Sequence, residues 1–358
     1  MNPNEAELSY PWQDQVPAPG QLRAIVPGQV YWLRMPLPFA LNHINLWLLK
    51  DETGSAARPE TGWAIVDCGV NSPGTKAAWQ DIFTDSAAEL LGLPMTRVIA
   101  TRCHPDHVGM AHWLCQHWQV DLHMSAGEYG FARMMSAGLA GADGSAGLDH
   151  FRRHGLSDAA MHEQVTQRKN YYPSLVPELP SSYVRLHAGQ SLRLAASDWQ
   201  VICGFGHSPE HVCLYSAGAN ILISGDMLLP RISTNVSVFA IEPLANPVQQ
   251  YLDSLSVLAE LPEDVLVLPA HGKPFRGLRQ RIRQLRDHHA ARLAEVYQAC
   301  CDGSKSACEI VPIMFPRALD PHQLTFAIGE ALAHCHQLWY AGKLQRIVGE
   351  DGVIRFAT

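Results

Sequence analysis

What the sequence lacks narrows its function before any motif is found. None of its 358 residues lies in a run approaching the roughly 18 consecutive apolar residues a membrane span requires. The N-terminus, Met1-Asn2-Pro3-Asn4-Glu5-Ala6-Glu7, is polar and acidic and leads into no apolar segment of the secretory kind. A cytoplasmic location is therefore expected, with no membrane partner. The nine cysteines are odd in number and show no C-x-x-C spacing, so no disulfide framework is expected and a reducing compartment fits. Positive charge is also scarce. A formal net charge of -7 gives no electrostatic reason to bind nucleic acid or an anionic membrane. Neither a P-loop nor a G-x-S-x-G context occurs, and Gly204 and Gly206 form only a G-x-G pair, too short for a nucleotide fingerprint. Internal repeats and low-complexity tracts are missing as well.

What is present is material for a large core: 47% of residues are hydrophobic and only 17% charged. The pattern of β-branched and aromatic runs predicts strands over Gln29–Met35, Ile44–Lys50, Ala64–Cys68 and Arg97–Thr101. Helices are predicted over Thr75–Phe83 and Val108–His117. Residues 128–180 read as a helical insert, glycine-broken and ending in a Pro-rich loop. A second strand series follows over Tyr183–Leu186, Ser191–Leu194, Trp199–Gly204, Val212–Ser216, Asn220–Ser224 and Val265–Pro269, with a helix over Pro247–Ala259. Two β-rich halves with flanking helices predict an α/β fold, a four-layer αββα sandwich over residues 1–277. Residues 278–358 read as a small C-terminal helical unit, resembling a winged helix. Its seven Lys/Arg against eight Asp/Glu over 285–358 deny it the basic face DNA binding needs, leaving packing, dimerisation or pocket closure.

Four segments place a His or Asp directly after a predicted strand. They are Thr101-Arg102-Cys103-His104-Pro105-Asp106-His107, then Gly204-Phe205-Gly206-His207-Ser208-Pro209-Glu210-His211, then Gly225-Asp226, then His271-Gly272. A lone His after a strand is usually a hydrogen-bonded loop residue; four such segments in this order point to a metal site. Neutral imidazoles with carboxylates and no thiolate suit Zn first, with Fe or Mn as the other choices.

These segments resemble the metallo-β-lactamase superfamily, in its glyoxalase II-like hydrolase branch, whose signature runs T-H-x-H-x-D-H, G-H-[ST]-x-x-H, G-D and a late H-G. The resemblance implies a binuclear centre. His104 and His207 would bind one metal, Asp106, His107 and His271 the other, and Asp226 would bridge them. One expected ligand is missing, because Arg102 stands where the signature has its first histidine. A guanidinium stays protonated and has no lone pair to give a metal. Arg102 then pairs with Asp226, or binds an anionic substrate group, or swings out while water completes a weakened first half. Asp67 is expected to support the ligand loops, as is His211. His43, Arg231 and Lys273, with Arg276, are candidates for contact with substrate. Tyr171, Tyr172, Met227 and Phe239 are candidate pocket residues, and His288 and His289 read as helix surface.

The expected function is hydrolysis of an ester, thioester or lactone by metal-bound hydroxide. Asp106 would orient the nucleophile and act as base, and Arg102 would weaken the first metal site while taking some oxyanion charge. One or two ions and a small-molecule substrate are the implied partners; homo-oligomerisation is open. The alternatives are β-lactam or phosphodiester hydrolysis on the same scaffold, an iron-dependent sulfur dioxygenase, or a member that only binds its ligand.

Overall fold

The computed structural model describes residues 3–39, 41–52, 61–86, 90–139, 144–157 and 171–358. Two sheets stack face to face. The first runs in chain order through β1 (Arg23–Val26), β2 (Val30–Pro36), β3 (His43–Asp51), β4 (Gly62–Val66), β5 (Met95–Ile99), β6 (Leu122–Ser125) and β7 (Val184–Leu186). Pairing is antiparallel up to β4 and parallel beyond it. The second sheet is ordered β12 (Leu266–Pro269), β11 (Ile221–Gly225), β10 (His211–Ser216), β9 (Ser197–Gly204) and β8 (Ser191–Leu194), with only β11 and β12 parallel.

Side-chain alternation along the strands builds the layers. Trp32, Trp47, Leu49, Ala64 and Val66 face Trp199, Val201, Leu214, Ile223 and Leu268 between the sheets. The alternate residues Leu33, Met35, Leu46, Leu48 and Ile65 pack on the other face with the helix Pro73–Asp85 and the helix Ala111–Trp118. Leu222, Cys213 and Val267, on the far side of the second sheet, pack against the helix Pro247–Leu258 and the C-terminal helices. This is the αββα arrangement the two strand series predicted.

Local chemistry sets the helix starts. Ser72 accepts from the Thr75 amide at 3.1 Å ahead of Pro73, and Asp320 accepts from Gln323 N at 2.8 Å ahead of Pro321. Ser306 and Glu309 cap each other reciprocally at the helix Ala307–Met314.

Several expectations shift. The strands β1 and β6 were not anticipated, and the helical segment expected from Glu128 begins as Ala126–Ser136. A second insert helix spans Gly144–Arg153, while residues 140–143 and 158–170 of the expected insert lie outside the described residues. Part of the expected Pro-rich loop is a short helix, Tyr171–Leu175. His289 is not a surface residue: it is fully buried, and its Nδ1 lies 3.1 Å from His334 Nε2. The C-terminal unit consists of the helices Leu278–Cys301, Ala307–Met314 and Pro321–Tyr340 and a hairpin of β13 (Gln345–Val348) and β14 (Ile354–Ala357). Its buried Ile282, Leu285, Ile328 and Leu332 share one core with Leu222, Tyr251 and Leu255. No helix among the described residues is long and apolar enough to cross a membrane.

Candidate metal centre

The ends of β4, β5, β9, β11 and β12 deliver the predicted residues to one place. Backbone bonds between them fix the assembly: Val212 N donates to Thr101 O at 2.8 Å, and Ala270 N donates to Gly225 O at 3.0 Å. Two glycines permit the close approaches. Gly225 has φ +51°, and a Cβ there would lie 2.3 Å from His211 Cε1. Gly206 has φ +93°, and its Cβ would lie 2.3 Å from Pro247 O.

Asp106, His107 and His271 each offer a ligand atom, and these atoms lie within 4.8 Å of one another. His271 Nε2 is 3.3 Å from Asp106 Oδ2 and 3.5 Å from Asp226 Oδ1; His107 Nε2 is 3.5 Å and 3.8 Å from the same two oxygens. The far ring nitrogens are anchored. His107 Nδ1 donates to Asp67 Oδ2 at 2.8 Å, and His271 Nδ1 donates to the His43 carbonyl at 2.8 Å. His207 Nδ1 donates to the Asn235 carbonyl at 2.6 Å. Such anchoring fixes the tautomer that leaves Nε2 as the ligand atom. Among the described residues, His107 Nε2, His207 Nε2 and Asp226 Oδ1 are buried without a hydrogen-bond partner. Buried polar atoms facing one another without hydrogen-bond partners are costly unless an ion joins them, so Asp106, His107 and His271, with Asp226, fit a divalent metal that would displace any proton on His107.

The other half does not. Arg102 is 3% exposed, with Nη1 2.8 Å from Asp226 Oδ2 and Nη2 3.6 Å from Asp106 Oδ1. Of the alternatives open for Arg102, the structure shows the pairing with Asp226. His104 and His207 stack edge to face with ring centroids 5.0 Å apart, beside this guanidinium. A cation already sits where a second dication would need Asp226.

The charges respond accordingly. Burial presses on Arg102, but Asp226 and Asp106 outweigh it and raise its pKa. Asp226, against the cost of burial, is held well below the usual carboxylate range by Arg102 and the surrounding histidines. Burial and then the Arg102 charge push His207 down to about 3 and His104 well below its ordinary value. His107 goes the other way: burial and Arg102 lower it, yet Asp67 and Asp106 prevail and hold it at about 9.

Supporting residues divide into those that reach the cluster and those that do not. Asp67, in the left-handed region at φ +62°, takes the Thr101 amide at 2.8 Å as well as His107. His211 Nε2 accepts from the Asp226 amide at 3.1 Å, and so holds that residue through its backbone. His43 supports the His271 loop, accepting from Gly272 N at 3.0 Å, and burial with the nearby Arg34 lowers it to about 4. Three of the residues expected to contact substrate lie against groups outside the cluster. Lys273 Nζ lies 2.6 Å from Asp14 and Arg231 Nε lies 3.9 Å from Glu5, both acids of the N-terminal segment. Arg276 donates to the Asp264 carbonyl. Tyr172 is buried and donates to the Cys103 carbonyl, Met227 is fully buried, and Phe239 is 42% exposed.

Two residues that sequence reasoning missed hold the ligand loops. Glu128, fully buried, accepts from Cys103 N at 2.7 Å, Ser208 Oγ at 2.6 Å and Glu210 N at 2.8 Å, clasping the loop of His104 to that of His207. Asn235, which receives the His207 proton contact, donates through Nδ2 to Glu330 Oε2 at 3.0 Å on the last long helix. The C-terminal unit thereby touches the loop that orients a site histidine.

Known proteins show the same organisation. Residues 55–271 match the metallo-beta-lactamase superfamily, and residues 293–358 match the metallo-beta-lactamase-like C-terminal domain. The crystal structure of a beta-lactamase domain protein from Burkholderia ambifaria is similar over 99% of both chains, at 52% identity and a TM-score of 0.91. That of a metallo-beta-lactamase family protein from Thermus thermophilus is 28% identical with a TM-score of 0.73, covering 93% of this chain and 99% of that one. A probable metallo-hydrolase of Bacillus subtilis is 22% identical over 84% of this chain and 89% of its own length.

Proposed function

Because this chain belongs to the metallo-β-lactamase superfamily, we propose that it is a metallo-hydrolase of an ester, thioester or lactone working with one metal ion, zinc by preference. The observation that carries this reading is the division of the cluster by Arg102. Asp106, His107 and His271 converge, while the guanidinium neutralises Asp226 at 2.8 Å on the other side. The glyoxalase II-like form of the signature supports an acyl substrate.

Asp106, His107 and His271 would hold a divalent ion, which would supply Lewis acidity toward a water and a substrate carbonyl. The protein's own groups do the rest. Asp106 orients the attacking water and takes its proton. Arg102 Nε is buried without a hydrogen-bond partner, so it has a donor to offer an oxyanion developing beside it. Asp67 and the His43 carbonyl keep His107 and His271 from rotating away.

The test combines metal counting with turnover. After dialysis the protein should retain about one equivalent of metal per chain and hydrolyse members of a panel of aryl esters, thioesters and lactones. Two retained equivalents would overturn the one-metal assignment, and a metal-loaded protein inert on the whole panel would overturn the hydrolase.

A further inference from the structure

A cleft of about 700 Å³, lined by none of the metal-cluster residues, lies between the insert helix Gly144–Arg153, the loop that carries Leu244 and the C-terminal hairpin. It is large enough for a small molecule. Its chemistry is unusual for plain surface. Arg153 and Arg346 both line it, and neither has an acidic partner among the described residues. Arg346 lies over the Trp339 ring at 5.6 Å, its Nε is buried without a hydrogen-bond partner, and the Arg153 charge is close enough to oppose its own. Asp149, the acid in the lining, lies 3.4 Å from Arg152 instead.

Behind the arginines lie two histidines at helical spacing. His150 is 7% exposed and His154 2%, their rings are 4.6 Å apart, and neither Nε2 has a hydrogen-bond partner. His154 donates from Nδ1 to the His150 carbonyl at 2.8 Å, which leaves Nε2 as an acceptor. Burial lowers His150 to about 4 and His154 to about 3, so both are neutral acceptors near pH 7. Leu244 and Ile354 supply an apolar wall, and Leu244 is 52% exposed.

A ligand matching this lining needs anionic oxygens for two guanidinium groups, a hydroxyl to donate to an imidazole, and an apolar body. A carboxylate offers no such hydroxyl. A phosphomonoester, whose second pKa lies at about 6, carries one part of the time near neutrality. We propose that the cleft lined by Arg153, Arg346, His150 and His154 is a binding site for a phosphomonoester of an apolar alcohol, separate from the metal cluster.

Isothermal titration calorimetry on the full, metal-loaded chain tests this with phenyl phosphate, inorganic phosphate and benzoate. Phenyl phosphate should bind saturably, one per chain, and at least tenfold more tightly than either of the others. The double variant Arg153→Gln with Arg346→Gln should weaken it at least tenfold. Arg153→Gln alone, at an exposed position, should weaken it severalfold and serves if the double variant does not fold. Absence of saturable binding, or benzoate binding as tightly, overturns the proposal. So does binding unchanged in the variants, which would place the phosphate at the metal cluster. Ester hydrolysis, read on the same proteins, should not change, so failure here is distinguishable from failure of the hydrolase reading.

Discussion

Replacing Arg102 with histidine probes the division of the metal cluster most directly. The guanidinium lies 2.8 Å from Asp226 and 3.6 Å from Asp106. At an effective dielectric near 20, a pair of unit charges in this range interacts by about 5 kcal/mol, and a dication at an equal separation from the guanidinium would meet about twice that as repulsion. Removing one partner of a buried ion pair leaves the other unpaired and costs about 3–5 kcal/mol. Arg102→His without metal should therefore unfold several degrees below the parent, because Asp226 keeps its charge and loses its cation. Added zinc should restore the loss, since the new imidazole completes a set with His104 and His207. Metal analysis should then find about two equivalents per chain where the parent holds about one, and ester turnover should rise at least tenfold. A variant that gains no metal, or whose metal-free form is as stable as the parent's, would refute the reasoning.

Two further substitutions address the supports. Glu128→Gln keeps the shape but turns an amide donor toward Cys103 N, Ser208 Oγ or Glu210 N, which are all donors to the carboxylate. It should cost about 3 kcal/mol in urea unfolding and hasten metal loss on dialysis; retention of both parental values would count against the clasp. Glu330 is pushed up to about 7 by burial, against an ordinary 4.5 and despite Asn235 and Arg292. The folded chain thus holds a proton the unfolded chain releases between those values, a stabilisation present below pH 4.5 and lost as pH rises through about 7. Glu330→Gln removes that loss, so relative to the parent it should be more stable at pH 8 than at pH 5 by up to about 3 kcal/mol. An identical difference at the two pH values would show that Glu330 does not titrate in this range.

The ligand loops were legible because metal chemistry restricts residue types and each loop follows an apolar strand. Arg102 was legible as a gap for the same reason, though its partner was not: pairing with Asp226 depends on two loops meeting across the sheets. Glu128 carried no signal. In the first turn of a helix, an acid reads as a solvated residue, and the Ser208 that buries it is 80 residues away. The strand β6, Leu-His-Met-Ser, is short and half polar, yet it is held by neighbours on both sides. Propensity cannot see that support. His289 misled for a related reason, since the imidazole it packs against, His334, belongs to the distant helix Pro321–Tyr340.

The core shared by Tyr251, Leu255, Ile282, Leu285 and Leu332 also bears on how such a chain can change over generations. A unit with its own closed core can be exchanged between genes as a block. Here an exchange at Gly277 would strip cover from the second sheet's outer helix and leave Asn235 without Glu330. Recombination at that point would have to supply a matching surface and a matching acid together. The C-terminal unit is thus expected to be inherited with the sandwich and to diverge in step with the loop of His207.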